Sequence, residues 1–305
     1  MKNKKKFLWI LLAVIVVVAC YAALYEPSYK GQLSTSGTIK TFSHRGLGNY
    51  APDNSLKGAN VAMVDGFDGI DVDGQITKDN EIVIYHDLSV NRLTESTGKV
   101  NQKTLSELRA LDLSLKYVSP LGKKWEDAHV ASFEDFVRDI TPKGILMVEL
   151  KVPGGASTGI EGKAVEIIKK YDAFDKVYLS SFNPLVLYRL KQIDARVKTV
   201  FIFMDSNWNS ELLAEIRPED RVDLPWFLQQ EPIRKIIRKI IKPDALSVNN
   251  EVDEKTIDTL IHKGNPVFLW TIDEKERLLW AKEKNPYGVI SDEPYIARGV
   301  LNGAQ

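Results

Sequence analysis

The chain of 305 residues has little cysteine, little histidine and no excess of either charge. Its one cysteine, Cys20, lies in an apolar stretch near the N-terminus, which excludes disulfides and cysteine-based zinc sites in the rest of the chain. Lys plus Arg and Asp plus Glu number 41 each, so no basic excess favours a DNA or RNA partner. Any metal must therefore be held by oxygen or imidazole ligands.

The N-terminal residues 1–25 combine four lysines, at positions 2, 4, 5 and 6, with the uncharged segment Phe7–Tyr25. At 1.5 Å per residue this segment is long enough to cross a hydrocarbon core of ~30 Å. The lysines favour a cytoplasmic N-terminus, which would place everything after Glu26 outside the cell. We therefore expect cytoplasmic lysines followed by one transmembrane helix, a signal anchor, that holds an extracytoplasmic domain on the cell membrane as a single-pass protein.

Two other interpretations of this N-terminal segment stay open. It could be a cleaved signal peptide, or a lipoprotein signal, because Val17–Cys20 resembles the bacterial lipobox whose cysteine is acylated. The apolar run continues past Cys20 to Tyr25, where a lipoprotein would usually begin a polar tether. Residues 26–37 are rich in Gly, Ser, Pro and Thr and predict a linker.

From residue 38 to residue 305, β-branched or aromatic runs alternate with helical patterns. The strand candidates are Ile39–Ser43, Gly69–Asp73, Ile82–His86, Ile145–Leu150, Val177–Phe182, Thr199–Phe203, Ala245–Val248, Val267–Ile272 and Gly288–Ser291. The helix candidates are Leu56–Met63, Leu105–Leu111, Phe133–Ile140, Gly162–Tyr171, Leu185–Ile193, Glu254–His262 and Glu274–Glu283. This alternation predicts an α/β fold of parallel βαβ units, and a (β/α)₈ TIM-type barrel fits best.

There are nine strand candidates, one more than the eight strands of such a barrel. Gly69–Asp73 and Ile82–His86 are joined across Thr77–Asn80, a turn too short for a helical crossover. We therefore expect this pair to form a hairpin that leaves eight strands for the barrel.

Charged and imidazole side chains gather where the first four candidate strands end, and in (β/α) barrels that end carries the active site. They are His44, Arg45, Asp71, Asp73, His86, Glu149 and Lys151. Asp71 and Asp73 are two residues apart on one strand, so their carboxylates point to the same side, where a cation would offset their repulsion. With Glu149 they would form an oxygen cage suited to Ca²⁺ or Mg²⁺.

The two histidines of this group, His44 and His86, could divide general acid and general base catalysis. Arg45 and Lys151 could neutralise a phosphate, the first as a bidentate fork and the second as a point charge. The other two histidines, His129 and His262, lie in an irregular stretch and at a helix end, and are interpreted as structural or surface residues.

Several short motifs, in order and spacing, resemble the signature of the glycerophosphodiester phosphodiesterase family. They are Ser43–Gly46, Ala51–Ser55, Gly69–Asp73, Thr77–Asp79, Val83–Asp87 and Arg92–Thr94, continued by Gly98–Val100, Leu105–Leu111, Val148–Lys151, Ser181–Asn183, Leu269–Thr271 and Gly288–Asp292. The resemblance implies a (β/α)₈ barrel that hydrolyses glycerophosphodiesters to glycerol 3-phosphate and an alcohol, with Ca²⁺ or Mg²⁺ as cofactor.

Carried over by position, the resemblance also implies roles for single residues. His44 and His86 match the acid/base pair, Asp71, Asp73 and Glu149 the metal ligands, Arg45 and Lys151 the phosphate contacts, and Trp270 an aromatic residue that lines the glycerol pocket. We expect Asp53 and Asn54 to contact these site residues and to hold them in place. The family usually has Glu at positions 53 and 71, and the shorter Asp changes the reach of each carboxylate.

Three rival functions remain. The basic, amphipathic pattern of residues 225–242 indicates a helix that could dock on anionic lipid. Such docking would favour a lysophospholipase D acting on membrane lysophospholipids. The alternative interpretation of this helix is an ordinary barrel helix with a cationic outer face. The barrel could also be an inactive module that binds glycerophosphate. A phosphoinositide-cleaving barrel shares the two histidines but is not supported by Pro52–Asn54 or Thr77–Asp79.

Overall fold

The computed structural model describes residues 2–24, 32–33, 37–152, 157–205 and 225–303. The first helix, α1, spans Lys2–Leu24. Within these described ranges no helix is both long enough and apolar enough to cross a membrane, and the predicted transmembrane anchor is not confirmed. Most of the predicted linker 26–37 lies outside the described residues.

A closed barrel of parallel strands forms the body of the molecule. Its strands alternate with helices because each buried run is followed by an amphipathic one. The strands are β1 Lys40–His44, β2 Gly69–Ile76, β3 Ile82–Ile84, β4 Ile145–Leu150, β5 Val177–Ser181, β6 Lys198–Phe203, β7 Ala245–Asn249, β8 Val267–Trp270 and β9 Gly288–Ser291. Parallel pairing runs from β2 through β4 to β9, and β1 pairs with both β9 and β2 to close the ring. The predicted (β/α)₈ barrel is confirmed.

β3 is the strand that stands outside the ring, as predicted. It pairs antiparallel with β2, with Gly74 opposite Ile84. Because β2 extends beyond the barrel to Ile76, β3 runs back towards the barrel mouth, and the Tyr85 N–H donates to the Asp73 carbonyl at 2.7 Å. The hairpin therefore brings His86 down to the level of the β2 carboxylates.

The helices surround the barrel. After α1 they are α2 Leu56–Val64, α3 Leu105–Arg109, α4 Phe133–Ile140, α5 Ile160–Lys170, α6 Pro184–Ile193, α7 Glu231–Ile241, α8 Glu254–His262, α9 Lys275–Lys284 and α10 Pro294–Asn302. Side-chain oxygens of Ser55, Thr104 and Ser132 cap the starts of α2, α3 and α4 by accepting backbone N–H bonds. All predicted helices are present, and α10 was not predicted.

Large side chains fill the barrel interior below the mouth. Phe42, Phe268, Met147 and Tyr178 are buried there in one cluster, and the rings of Phe42 and Phe268 meet edge to face with centroids 5.0 Å apart. This packed interior stabilises the barrel and leaves its carboxyl-terminal end as the place for a site.

The basic helix predicted within residues 225–242 is α7, but its predicted cationic face is partly wrong. Arg234 and Arg238 are buried rather than solvated, and both guanidinium groups lie over the Phe203 ring. Both also form ion pairs with Glu231. The long arginine side chains cover apolar surface of the barrel while their charges stay paired, which a helical pattern of alternating charge does not reveal.

Candidate active site

The end of β1 places His44 beside the residue that follows β9. The Nδ1 of His44 lies 2.8 Å from Asp292 Oδ1, a contact between residues 248 positions apart. The β1 loop approaches closely because Gly48 lacks a side chain: a Cβ there would lie 2.2 Å from the Asp292 carbonyl oxygen. The Asn49 N–H donates to that same oxygen at 2.9 Å, so the loop fixes the Asp292 backbone beside His44.

His86 has a carboxylate on one ring nitrogen and a cation on the other. Its Nδ1 lies 2.7 Å from Asp87 Oδ1, and its Nε2 lies 2.9 Å from Arg45 Nη2. A guanidinium can only donate, so Nε2 must accept, and the imidazole is neutral with its proton on Nδ1. The Gln75 amide donates to the carbonyls of Tyr85 and Asp87, both at 2.7 Å, which fixes the backbone on either side of His86.

Arg45 and Arg92, which lies in the loop after β3, both bind the carboxylate of Asp53. Arg45 Nη1 donates to Asp53 Oδ2 at 3.0 Å, and Arg92 Nη2 donates to the same oxygen at 3.0 Å. Arg92 also donates to Asp87. The Nε of Arg45 is buried and has no hydrogen-bond partner within the part of the chain that the structure describes, so the guanidinium retains a donor for an anion.

Asp73 of β2 lies close to Glu149 of β4 and to Lys151, the residue that follows β4. Asp73 is opposite Glu149 in the strand register, and Lys151 Nζ lies 3.1 Å from Asp73 Oδ1 and 3.5 Å from Glu149 Oε2. The Asn54 amide donates to Asp73 Oδ2 at 3.0 Å, while its carbonyl accepts the Asp73 N–H at 3.0 Å. Two hydrogen bonds thus join Asn54 to Asp73, one of the predicted metal ligands.

The pKa values of these carboxyl groups diverge. Burial raises the pKa of Asp71 to about 7, and the charges of Asp73 and Glu149 add to the rise. Burial and the Asp73 charge likewise raise the pKa of Glu149, against the opposing effect of Lys151. Burial opposes ionisation of Asp73 as well, but Lys151, His86 and Arg45 outweigh it and lower its pKa. Repulsion among the three carboxylates is therefore only partly neutralised by the protein's own cations.

The two histidines have opposite pKa shifts. Burial lowers the pKa of His44, but the Asp292 carboxylate outweighs burial and the pKa is raised to about 8. Burial together with the charges of Arg45 and Lys151 lowers the pKa of His86 to about 4. Near neutral pH the site holds one protonated and one neutral imidazole, which is the arrangement that an acid and a base require.

The three predicted metal ligands fit a hard cation by the chemistry of their side chains. Asp71, Asp73 and Glu149 offer only oxygen and lie on the neighbouring strands β2 and β4, and a cation would relieve the repulsion that raises two of their pKa values. Their ligand atoms are not drawn together. Among the described residues, the one group of three acidic or histidine ligands within 4.8 Å of one another is Asp112, Asp127 and His129, at the surface.

Trp270 lies at the carboxyl end of β8, on the other side of the mouth from the carboxylates. Its ring meets that of Phe182 edge to face, with centroids 5.9 Å apart. His129 and His262 are exposed, as predicted. Phe182 also lines a small apolar cavity with Phe203, Met204 and Leu228, so this side of the mouth is apolar.

Three residues at the site carry no assigned role in the sequence analysis: Asp87, Arg92 and Asp292. Each stands within a quoted motif, Val83–Asp87, Arg92–Thr94 or Gly288–Asp292. Asp87 and Asp292 could have been identified because both follow the end of a strand, and the catalytic candidates were found by the same criterion. Their partners could not be identified, because pairing depends on which loops meet above the barrel.

Comparison with known proteins finds relatives of the chain by sequence. A sequence model of the glycerophosphoryl diester phosphodiesterase family matches residues 44–296. A glycerophosphodiester phosphodiesterase of Caldanaerobacter subterraneus is 27% identical over 256 residues, covering 83% of this chain and 93% of that protein. Human glycerophosphodiester phosphodiesterase 1 is 30% identical over 166 residues, covering 53% of this chain and 48% of its own length.

Solved structures share the fold. A crystal structure from Silicibacter pomeroyi, described as a putative glycerophosphoryl diester phosphodiesterase, has a TM-score of 0.70 at 17% identity, and covers 90% of this chain and 95% of its own. A phosphodiesterase of Oleispira antarctica in complex with the product sn-glycerol-3-phosphate has a TM-score of 0.69 at 20% identity, and covers 87% of this chain and 97% of its own. At these identities the likeness shows the fold alone.

Proposed function

The chain belongs to the glycerophosphoryl diester phosphodiesterase family, the phosphoric diester hydrolases, and we propose that it hydrolyses glycerophosphodiesters to glycerol 3-phosphate and an alcohol by a two-histidine mechanism. The observation that best supports the mechanism is the difference in what the two imidazoles contact: His44 Nδ1 lies 2.8 Å from Asp292 Oδ1, whereas His86 Nε2 lies 2.9 Å from Arg45 Nη2. Asp292 stabilises the first as a cation, while Arg45 and Lys151 keep the second neutral.

In this mechanism the phosphate of the substrate takes the donors of Arg45 and Lys151. The Arg45 guanidinium leaves His86 Nε2, and that nitrogen then accepts a proton from the glycerol 2-hydroxyl or from a water. As the new oxygen–phosphorus bond forms, the bond to the leaving alcohol breaks, and protonated His44 supplies the proton that the leaving oxygen needs. Attack by the 2-hydroxyl gives a cyclic phosphate, which a water then opens.

Asp71, Asp73 and Glu149 would hold Ca²⁺ or Mg²⁺, which supplies electrostatic stabilisation of the phosphate when bound. The Lys151 ammonium, near both Asp73 and Glu149, would share this charge balance. Trp270 would face the glycerol, and Asp53 and Asn54 would hold Arg45 and Asp73 in place.

The test is turnover of glycerophosphocholine by the full-length protein in Ca²⁺, Mg²⁺ or EDTA, with release of glycerol 3-phosphate as the readout. We expect His44→Ala and His86→Ala each to lower kcat by about 10²- to 10⁴-fold. His262→Ala, at the exposed end of α8, is the matched control and should retain full activity. Full activity in His86→Ala would refute the acid/base pair.

A second candidate activity, lysophospholipase D, is favoured by the apolar side of the mouth. Leu228 of the 3₁₀ helix Trp226–Gln229 contacts the cavity beside Phe182, and the neighbouring Trp226 and Phe227 side chains are exposed. An acyl chain could pack there while the phosphate occupies the charged side. Choline release from lysophosphatidylcholine vesicles, lowered in Trp226→Ala but not in the exposed control Leu279→Ala, would support it. Equal rates in both variants would refute it.

We also propose that residues 1–25 anchor the protein in the cell membrane with its barrel outside. The support is the uncharged segment Phe7–Tyr25 preceded by lysines. Acylation of Cys20 is the alternative mode of attachment.

A further inference from the structure

Arg92 binds two carboxylates at the rim of the site. Its Nε lies 2.7 Å from Asp87 Oδ2, and its Nη2 lies 3.0 Å from both Asp87 Oδ1 and Asp53 Oδ2. These contacts use one edge of the guanidinium as a bidentate fork on Asp87, with a third bond to Asp53. The turn that carries Arg92 is itself held, because Val90 accepts the Thr94 hydroxyl at 2.8 Å and its N–H donates to Gly98 at 3.0 Å.

The same two carboxylates hold the two groups that act on the phosphate in the proposed mechanism. Asp87 Oδ1 binds His86 Nδ1 at 2.7 Å, and Asp53 Oδ2 binds Arg45 Nη1 at 3.0 Å. Arg92 is thus the common partner of both supports. We propose that Arg92 is a positioning residue, which acts through Asp87 and Asp53 to fix His86 and Arg45 relative to each other. This inference rests on the proposed function.

The arrangement matters because Arg45 must change partners during the reaction. Without substrate its Nη2 occupies His86 Nε2, the nitrogen that has to accept a proton. When Arg45 turns to the phosphate, Asp53 would lose a cation and His86 a neighbour. Arg92 remains bound to both carboxylates, so Asp53 keeps a partner and Asp87 keeps the imidazole in the tautomer whose Nε2 is free to accept.

A lysine could not replace this residue fully. Its ammonium is a point charge that can bind one carboxylate closely, whereas the planar guanidinium spans both. The Arg92 side chain is 38% exposed and its bonded edge faces the carboxylates, so its effect on the reaction passes through them.

The experiment compares Arg92→Gln and Arg92→Lys with Arg109→Gln in the full-length protein. Arg109 is a matched control because it also binds a carboxylate, Asp135, and its side chain is 48% exposed. We expect Arg92→Gln to lower kcat by about 10- to 100-fold with little change in KM, since Arg45 and Lys151 still meet the phosphate. Arg92→Lys should recover only part of this loss, and Arg109→Gln should match the wild type.

Double variants test the route of the effect. If Arg92 acts through its two carboxylates, Arg92→Gln combined with Asp53→Asn or with Asp87→Asn loses less than the product of the single losses. Strict multiplicativity with both, or a kcat in Arg92→Gln equal to that of Arg109→Gln, would overturn the inference.

A spectroscopic readout separates this inference from the proposed function. In the metal-free protein, ¹⁵N NMR of the imidazole reports which nitrogen of His86 carries the proton. We expect one tautomer, with the proton on Nδ1, in the wild type and in Arg109→Gln, and a mixture in Arg92→Gln. A mixture found in a protein that turns over no glycerophosphodiester would uphold Arg92 and refute the proposed function; an unchanged tautomer in an active enzyme would refute Arg92's role.

Discussion

At the scale of single residues, neighbours decide what each imidazole can do. His44 and His86 lie at the same end of the barrel, and each has a carboxylate on Nδ1, from Asp292 and Asp87 respectively. Only His86 also has a guanidinium, that of Arg45, on Nε2. Burial opposes the charged form of both, and the charges of Arg45 and Lys151 add to burial at His86, whereas at His44 the Asp292 carboxylate outweighs burial. Asp292 is therefore as important to the acid as Arg45 is to the base.

This reasoning predicts that Asp292→Asn lowers the pKa of His44. The asparagine carbonyl still accepts from Nδ1, but the charge that outweighs burial is gone, so the pKa should fall from about 8 to below the ordinary value of 6.5. NMR titration of the metal-free protein measures it. Asp139→Asn, which removes a half-buried partner of the exposed Arg138, is the control and should leave the His44 titration unchanged.

The direction in which protein stability changes with pH follows from the same pKa shift of His44. His44 has a higher pKa when folded than its ordinary value, so folding favours its protonated form. The stabilisation by Asp292 is full below about pH 6.5 and is lost as the pH rises through about 8. Unfolding curves of the wild type should therefore lose stability over that interval relative to Asp292→Asn. Parallel curves would contradict the pairing.

The metal ligands give a second prediction at this scale. Ca²⁺ or Mg²⁺ at 100 times its Kd should stabilise the wild type by about 2.7 kcal/mol, measured as a rise in Tm. Glu149→Gln should abolish most of this rise. Asp112→Asn tests the surface group Asp112, Asp127 and His129 and should leave it intact. If Asp112→Asn removes the effect and Glu149→Gln does not, the cation binds at the surface group and not in the mouth.

The sequence predicted the residues of the mouth better than their bonds. His44, His86, Asp73, Glu149 and Lys151 follow from strand ends, since parallel strands bring those ends together. The bonds of Arg92 and Asp292 depend on loop paths over the barrel, which no local pattern specifies. The placement of Asp73 and Glu149 around Lys151 likewise depends on side-chain rotamers and charge balance.

At the scale of elements, the loop after β1 depends on close backbone contact. Gly48 has a φ of 56°, and its missing Cβ leaves room for the Asp292 carbonyl. We expect Gly48→Ala to destabilise the protein by about 2 to 4 kcal/mol and to lower kcat, because the loop and Asp292 must separate. Gly299→Ala in α10, where a Cβ would meet nothing within 4 Å, should instead stabilise by about 0.5 to 1 kcal/mol. Denaturant unfolding measures both, and an unaltered stability in Gly48→Ala would contradict the close contact.

The accuracy of the predicted elements has a physical cause. Each barrel strand is a short apolar run between helical patterns, and the turn Thr77–Asn80 was too short for any crossover, so the hairpin was predictable. The inward side of α7 was not predictable, because the sequence pattern indicates Arg234 and Arg238 as solvent-facing charges. Only the structure shows that Phe203, Glu231 and Asp205 surround them. α10 escaped prediction because it follows the last strand and completes no crossover.

At the scale of the whole molecule, the mouth of the barrel has two chemically different sides. The ends of β1, β2 and β4 and the β3 hairpin present the imidazoles, cations and carboxylates, while Phe182 after β5, Met204 after β6 and Trp270 on β8 are apolar or aromatic. A phosphodiester would therefore be oriented, with its phosphate on the charged side and one substituent over the apolar side. Fold likeness alone could not supply this orientation, because it comes from side chains.

The last prediction tests the proposal that the N-terminal segment anchors the protein in a membrane. We expect the full-length protein to sediment with membranes and to resist extraction by high salt, because transferring Phe7–Tyr25 to water is unfavourable. A variant without residues 2–31 should become soluble and keep its kcat for glycerophosphocholine, since every residue of the mouth lies after residue 38. Fatty-acid labelling distinguishes the two modes of attachment: the label enters the wild type but not Cys20→Ala if acylation holds the protein, and enters neither if the helix alone is the anchor. A full-length protein found in the soluble fraction would refute both.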